Sequence, residues 1–160
     1  MEYIILSLGS NLGDRQQHLE RACQLLEGRG IAIQQRSSVY ETQPYGISEQ
    51  PNFLNQVIVV ETNQSSEELM RTCLEIEEEM GRVRGEKNGP RIIDIDLLFY
   101  RDEMANSDNL KLPHPGIVAR RFILAPLAEI AGGFVHPGLR KSLSQLLDEC
   151  PDQLIVKPYN

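Results

Sequence analysis

The segment at residues 89–100, GPRIIDIDLLFY, constrains the fold most strongly, because two aspartates interrupt an otherwise apolar run. Its branched aliphatic residues and aromatic end predict a buried β-strand, which we place at residues 91–100. Side chains alternate along a strand, so Asp94 and Asp96 share one face with Cα atoms about 6.6 Å apart. The opposite face carries the apolar residues expected to pack under helices, namely Ile93, Ile95, Leu97 and Phe99.

The aspartate pair needs a cation, because two close carboxylates repel each other and one would otherwise have its pKa raised. Arg91 could supply it, and so could magnesium, which binds one or two carboxylates together with substrate phosphates. The preceding residues are basic, and arginine suits bidentate contact with phosphate. These basic residues are Arg82, Arg84, Lys87 and Arg91. A lone DxD is more often a salt-bridged strand, and a lone basic loop is more often solvated surface; their combination favours a magnesium–phosphate site.

The remaining chain predicts an α+β fold with a ferredoxin-like β-α-β-β-α-β core. Strands are expected at residues 3–8, 31–42, 53–62 and 91–100. One helix is expected after the first strand, capped by Asp14, and another after the third strand, capped by Ser65. An antiparallel sheet with helices on one face accounts for this order. The rest of the chain predicts a C-terminal helical extension with a capped helix beginning at Ser142, so we treat residues 1–160 as one domain.

Composition narrows the function further. A net charge of −7 excludes a general nucleic-acid binder. No apolar run is long enough to span a membrane and no export signal is visible, so we expect a cytoplasmic protein without a membrane partner. We also expect a monomer without nucleic-acid partners. The three cysteines are odd in number and widely spaced, which predicts buried free thiols. No GxxxxGK[ST] phosphate loop or complete dinucleotide fingerprint is present.

Several segments together resemble the 6-hydroxymethyl-7,8-dihydropterin pyrophosphokinase family. They are LGSN, YETQPYG, QPNFLNQV, GRVR, GPRIIDIDLLFY and LPHPGIVARRF, which follow in order over roughly residues 4–130. The resemblance implies an enzyme of folate biosynthesis that transfers the pyrophosphoryl group of ATP to the hydroxymethyl group of a reduced pterin and releases AMP. It also implies two magnesium ions bound together with ATP.

The resemblance assigns roles to particular residues. It implies that Asp94 and Asp96 bind metal, and that Asp96, Arg82 and Arg91 are catalytic. The positions that match ATP contacts are Glu77, Arg82, Arg84, Lys87, Arg91, His114 and Arg120. The positions that match pterin contacts are Thr42, Pro44, Tyr45, Phe53, Asn55 and Phe122. Within the second set, Phe53 and Phe122 would sandwich the ring while Asn55 reads its polar edge, for which an amide has both donor and acceptor.

Two other functions stay open on the residues alone, a binding module and a different enzyme. Ferredoxin-like sheets also serve as regulatory or RNA-binding domains. RNA binding would require stacked aromatic residues in a characteristic segment, but aromatics make up only 6% of the chain and that segment is absent. A metal-dependent phosphohydrolase would use the same carboxylates and would release phosphate from ATP without a pterin.

Overall fold

An antiparallel sheet organises the chain in the computed structural model, which describes residues 3–43, 49–82 and 90–159. The strands are β1 (Ile4–Ser10), β2 (Ala32–Arg36), β3 (Tyr40–Thr42), β4 (Phe53–Glu61), β5 (Asp94–Tyr100), β6 (Ala105–Asn106), β7 (Lys111–Leu112) and β8 (Val156–Pro158). The helices are α1 (Arg15–Gly28), α2 (Ser66–Glu79), α3 (Arg121–Ala131) and α4 (Leu143–Asp148).

The strand order confirms the ferredoxin-like α+β fold. The main sheet runs β5-β1-β4-β3-β8, and β2 also pairs with β4, with every pair antiparallel. The single strand expected at residues 31–42 is two strands, because Ser37 interrupts it. The Ser37 hydroxyl accepts the N–H of Val57 at 3.0 Å, and this side chain replaces the backbone partner that a continuous strand would supply.

One face of the sheet packs against α1 and α2. The predicted caps are confirmed: the Asp14 side chain accepts the Gln17 N–H, and Ser65 forms a capping box with Glu68. The apolar sides of both helices are buried, including Leu19 and Leu26 of α1. They meet alternate residues of β1, so this cluster forms the larger part of the core. The three cysteines are free and buried, as predicted.

The other face carries helices too, which corrects the expectation of helices on one face only. Helices α3 and α4 pack there against Ile5, Val57 and Phe99. Phe99 was assigned to the face of Ile95 and Leu97, and that prediction is wrong. The pairing of β1 with β5 shifts register between Ile5 and Leu6, so Leu98 is an extra residue and Phe99 turns to the opposite face.

The last third of the chain completes the sheet as well as covering it. The predicted helical extension is confirmed as α3 and α4, and the Ser142 side chain caps α4 by accepting the Gln145 N–H. Two features were not expected: β8 extends the sheet by pairing with β3, and β6 pairs with β7 as a separate small sheet. Among the described residues, no helix has the length and apolarity that a membrane crossing needs.

Candidate active site

A cleft opens on the face of the sheet that α3 and α4 cover only in part. It lies over the ends of β1, β4 and β5 and beside the start of α3. One group of predicted residues in its lining is charged, namely Arg91, Asp94, Asp96 and Arg120. The other group combines aromatic and uncharged polar side chains, namely Thr42, Phe53, Asn55 and Phe122. The fold therefore brings eight separately predicted residues to one cleft.

Asp94 lies between two arginines. Its Oδ2 is 2.9 Å from Nη1 of Arg91, and its Oδ1 is 3.2 Å from Nη1 of Arg82. Both ion pairs are partly shielded, since the three side chains are between 14% and 22% exposed. The salt-bridged strand considered from sequence is thus present at Asp94, and it fixes that carboxylate at the cleft.

Asp96 is in a different environment from Asp94. It pairs across the strands with Ser7 and is half-buried. Burial raises the pKa of Asp96 to about 7, and the negative charges of Asp94 and Glu77 act in the same direction. Arg120 and Arg91 oppose the shift. A half-buried carboxylate beside other carboxylates is the arrangement that a bound cation stabilises.

Glu77 lies behind the cleft, on α2, and is 2% exposed. Its Oε2 accepts the Ile95 N–H at 2.7 Å and is 2.8 Å from Nη1 of Arg82. Burial raises the pKa of Glu77, although the Ile95 N–H and Arg82 oppose the shift. Within the described residues Oε1 has no hydrogen-bond partner. Glu77 thus ties α2 to β5 and orients Arg82 toward Asp94.

We expect Glu77→Ala to lower the free energy of unfolding by about 1–3 kcal/mol, because the buried Ile95 N–H would lose its acceptor. Urea denaturation measures this loss. Glu78→Ala is the matched control, since Glu78 is the next residue of the same helix and is exposed. Equal stability of the two variants would contradict a tethering role for Glu77.

Arg120 reaches the cleft beside a turn that contains His114. The Nδ1 of His114 accepts the Gly116 N–H at 3.0 Å, so the neutral ring carries its proton on Nε2. Burial lowers the pKa of His114, and the charge of Arg120 lowers it further. A Cβ placed on Gly116 would lie 2.9 Å from Cζ of Arg120 and 3.0 Å from its Nη1. The missing side chain at position 116 therefore makes room for the guanidinium.

We expect Gly116→Ala to displace Arg120 and to lower the kcat/KM of the reaction in this cleft by about tenfold, because a guanidinium stabilises transition-state charge only when it is correctly placed. The melting temperature should stay near that of the wild type, since a flexible side chain can move. Steady-state kinetics with thermal unfolding test this expectation. Gly28→Ala is the control, because a Cβ there meets nothing within 4 Å. Unchanged kcat/KM in Gly116→Ala would refute the steric argument.

The uncharged end of the cleft holds Asn55 in one orientation. Its Nδ2 donates to Oγ1 of Thr42 at 2.6 Å, and both residues are buried. A Cβ on Gly9 would lie 2.9 Å from Oδ1 of Asn55, so only glycine leaves that oxygen its position. Phe53 precedes Asn55 by two residues on β4. Phe122 is the second residue of α3, and Cζ of Arg120 lies 6.0 Å from its ring centroid.

Several predicted residues do not line this cleft. Arg82, Glu77 and His114 lie around it. Arg82 pairs with both Glu77 and the cleft residue Asp94, and the charge of the cleft residue Arg120 acts on His114. Pro44, Tyr45, Arg84 and Lys87 lie outside the described residues. The structure also adds Ser7 and Gly9 of β1, which the sequence did not single out. Their signal was the small-residue spacing SLGS at the end of an apolar strand, which leaves the strand surface open.

A metal centre made of protein ligands alone is not present in the part of the chain that the structure describes. No group of three or more His, Cys, Asp or Glu side chains in residues 3–43, 49–82 and 90–159 is arranged to hold an ion. Asp94 and Asp96 are the two carboxylates that line the cleft among the described residues. Such a pair suits a metal that takes its other ligands from water or a bound phosphate.

The sequence of the chain is similar to those of known proteins. Residues 5–132 match the family model described as 7,8-dihydro-6-hydroxymethylpterin-pyrophosphokinase. The chain is 40% identical over 149 residues to a 2-amino-4-hydroxy-6-hydroxymethyldihydropteridine pyrophosphokinase of Aquifex aeolicus, covering 93% of this chain and 92% of that protein. It is also 40% identical over 149 residues to the folic acid synthesis protein of Schizosaccharomyces pombe, covering 92% of this chain. The chain spans only 20% of the length of that yeast protein.

Solved structures give the same picture of the fold. The crystal structure of wild-type Plasmodium falciparum HPPK-DHPS superposes with a TM-score of 0.71 at 17% identity, covering 92% of this chain and 44% of that one. A crystal structure of HPPK-DHPS in complex with substrates superposes with a TM-score of 0.70 at 16% identity. At such identities the likeness concerns the fold alone, and it agrees with the α+β sheet order.

Proposed function

Because the chain belongs to the 7,8-dihydro-6-hydroxymethylpterin-pyrophosphokinase family, and is thus a pyrophosphokinase of folate synthesis, we propose that the described cleft is its active site. In this proposal the substrates are ATP and 6-hydroxymethyl-7,8-dihydropterin, and the products are AMP and the pterin diphosphate. The observation that carries it is the division of one cleft into a charged end and an aromatic, amide-bearing end.

The charged end suits the triphosphate of ATP. Arg91 and Arg120 line it, and Arg82 lies behind Asp94. Guanidinium groups neutralise the charge that spreads over phosphoryl oxygens in the transition state, and phosphoryl-type transfer depends mainly on such positioning and charge. Glu77 supports this end by orienting Arg82. His114 would donate from Nε2, since its Nδ1 already accepts the Gly116 N–H.

We propose two magnesium ions, bound with ATP, at Asp94 and Asp96. The donor set fits, because magnesium takes one or two carboxylates and completes its shell with phosphate oxygens and water. The fit is supported by Asp96, which lies half-buried near the like charges of Asp94 and Glu77. When bound, the ions would neutralise the triphosphate and polarise its phosphorus centres. Arg82 and Arg91 would keep the Asp94 carboxylate facing the cleft.

The aromatic end suits the pterin. Asn55 has one Nδ2 hydrogen committed to Thr42, which leaves Oδ1 and the second Nδ2 hydrogen for the polar edge of the ring. Phe53 and Phe122 would contact the two ring faces. The hydroxymethyl oxygen would then bond to the β-phosphorus while the bond from that phosphorus to the α,β-bridging oxygen breaks. AMP leaves with the bridging oxygen, and Asp96 accepts the hydroxyl proton.

Incubation of the protein with ATP, magnesium and 6-hydroxymethyl-7,8-dihydropterin tests the proposal. We expect AMP only when all three are present, because the pterin hydroxyl is the acceptor. Phosphate release without pterin would favour a phosphohydrolase instead. Absence of turnover together with tight pterin binding would favour a binding module. A reaction without the pterin, or no reaction with all components, would contradict the proposed function.

Other parts of the proposal rest on sequence alone. ATP contacts by Arg84 and Lys87, and pterin contacts by Pro44 and Tyr45, stay predictions. The same holds for a single domain over residues 1–160, a monomeric state and a cytoplasmic location. ATP contact by Glu77 also stays a prediction, and we propose that Glu77 acts through Arg82, since its carboxylate is turned toward that side chain.

A further inference from the structure

Asn11 is a polar residue immediately after β1 that is only 1% exposed. Its Oδ1 accepts the Arg91 N–H at 2.7 Å. Its Nδ2 donates to Oε1 of Gln50 at 2.8 Å and to the carbonyl oxygen of Pro51 at 3.0 Å. Its own N–H donates to the Arg91 carbonyl oxygen at 3.0 Å. Both amide hydrogens and the amide oxygen of one buried side chain are therefore used to join other segments.

The two segments that Asn11 joins belong to opposite ends of the cleft. Arg91 is the arginine that pairs with Asp94 at 2.9 Å, at the charged end. Gln50 and Pro51 shortly precede Phe53, the first residue of β4 and part of the aromatic end. Arg15 holds the same segment from outside by donating to the Asn52 carbonyl oxygen at 2.8 Å. Asn11 itself does not line the cleft, so its effect must pass through these neighbours.

We propose that Asn11 is a positioning residue that fixes the charged end of the cleft relative to the aromatic end. The inference rests on the proposed function, in which the two ends bind different substrates that must meet in line. A misplacement of about 1 Å can cost about 10²-fold in rate when two groups must be aligned. Asn11 suits this task because it is buried, its side-chain hydrogen bonds reach both segments, and its backbone N–H donates to the Arg91 carbonyl oxygen.

Two substitutions distinguish the hydrogen bond of the Asn11 side chain to Arg91 from its hydrogen bonds to Gln50 and Pro51. Asn11→Ala removes the side-chain hydrogen bonds to Arg91 and those to Gln50 and Pro51. The kcat/KM for the pterin should therefore fall by about tenfold or more, and the KM for ATP should also rise. Asn11→Asp keeps an oxygen that can accept the Arg91 N–H but loses the donors to Gln50 and Pro51. Its KM for the pterin should therefore rise, while its KM for ATP stays within about twofold of the wild type.

Further variants keep the test decisive if Asn11→Ala folds poorly. Gln50→Ala removes one acceptor of the Asn11 amide beside the aromatic end and leaves the contact of Asn11 with Arg91 in place, so the KM for the pterin should rise with little change for ATP. Thr72→Val is the matched control, because it removes a different part-buried hydrogen bond, which Thr72 of α2 donates to Gln64 at 3.0 Å. It should lose stability without changing either KM.

The measurement is steady-state AMP formation with each substrate varied, at a temperature where thermal unfolding shows every variant folded. Wild-type turnover is measured first, so an inactive wild type would reject the proposed function rather than this inference. The inference is supported if Asn11→Asp and Gln50→Ala raise only the pterin KM. It is overturned if these variants behave like Thr72→Val, or if both substrates are affected equally in all of them.

Discussion

Asp96→Asn is expected to lower kcat by about 10³-fold or more, because a metal ligand supplies several kcal/mol of transition-state stabilisation and about 1.4 kcal/mol corresponds to tenfold in rate. Asp94→Asn should have an effect of the same order. The amide keeps the shape of each side chain but loses the charge that would hold magnesium. AMP formation at saturating ATP, pterin and magnesium measures the loss.

The stability of Asp96→Asn makes this prediction specific. Asp96 lies half-buried near the carboxylates of Asp94 and Glu77, and a neutral amide removes that repulsion. In metal-free buffer the variant should therefore unfold at a temperature no lower than the wild type. Asp148→Asn is the control for net charge, because Asp148 is an exposed residue at the end of α4. Near-normal turnover in Asp94→Asn or Asp96→Asn would refute the two-metal proposal.

Asn55→Ala is expected to raise the KM for the pterin by about 10–100-fold, because a buried polar contact to the ring edge is worth about 1–3 kcal/mol. The KM for ATP should change little, since Asn55 lies at the aromatic end of the cleft. Kinetics with each substrate varied in turn give the two constants. Asn63→Ala is the matched control, because Asn63 is exposed in the turn between β4 and α2.

Gly9→Ala tests the same contact without removing the amide. Its new Cβ would come within 2.9 Å of Oδ1 of Asn55, so the amide must move. We expect the pterin KM to rise again, by less than in Asn55→Ala. An equal loss of affinity for ATP and pterin in both variants would show that Asn55 does not belong to a pterin site.

The chemistry of the site was largely predictable from the sequence, because strand alternation is a local property. The spacing of Asp94 and Asp96 places both on the cleft side of β5. Phe99 was not predictable in the same way, since a bulge at Leu98 reverses the faces of the residues that follow. A bulge is set by the pairing of two distant strands and leaves no reliable mark on one of them.

Most of the other features that the sequence did not predict depend on contacts between segments that are distant in the chain. The placement of α3 and α4 on the second face depends on how Ile5, Val57 and Phe99 gather there, and the bulge is what brings Phe99 to that face. Likewise, Gly116 affects the site through its contact with Arg120, and Asn11 through its hydrogen bond with Arg91. The contact of Asn11 with Arg91 joins residues that are far apart in the sequence and forms only in the folded chain. The resemblance implied the substrates, whereas the folded sheet and the start of α3 determine which side chains lie at the charged end and which at the aromatic end.

The most direct test of the central claim follows the β-phosphorus of ATP. The protein is incubated with magnesium, 6-hydroxymethyl-7,8-dihydropterin and ATP labelled with ³²P at the β-position, and the products are separated. Pyrophosphoryl transfer predicts that the label moves into the pterin product and that the AMP is unlabelled. Label in ADP would show that only the γ-phosphoryl group leaves ATP, by transfer or by hydrolysis, and label in pyrophosphate without a pterin product would show hydrolysis between the α- and β-phosphorus; either result would contradict the account.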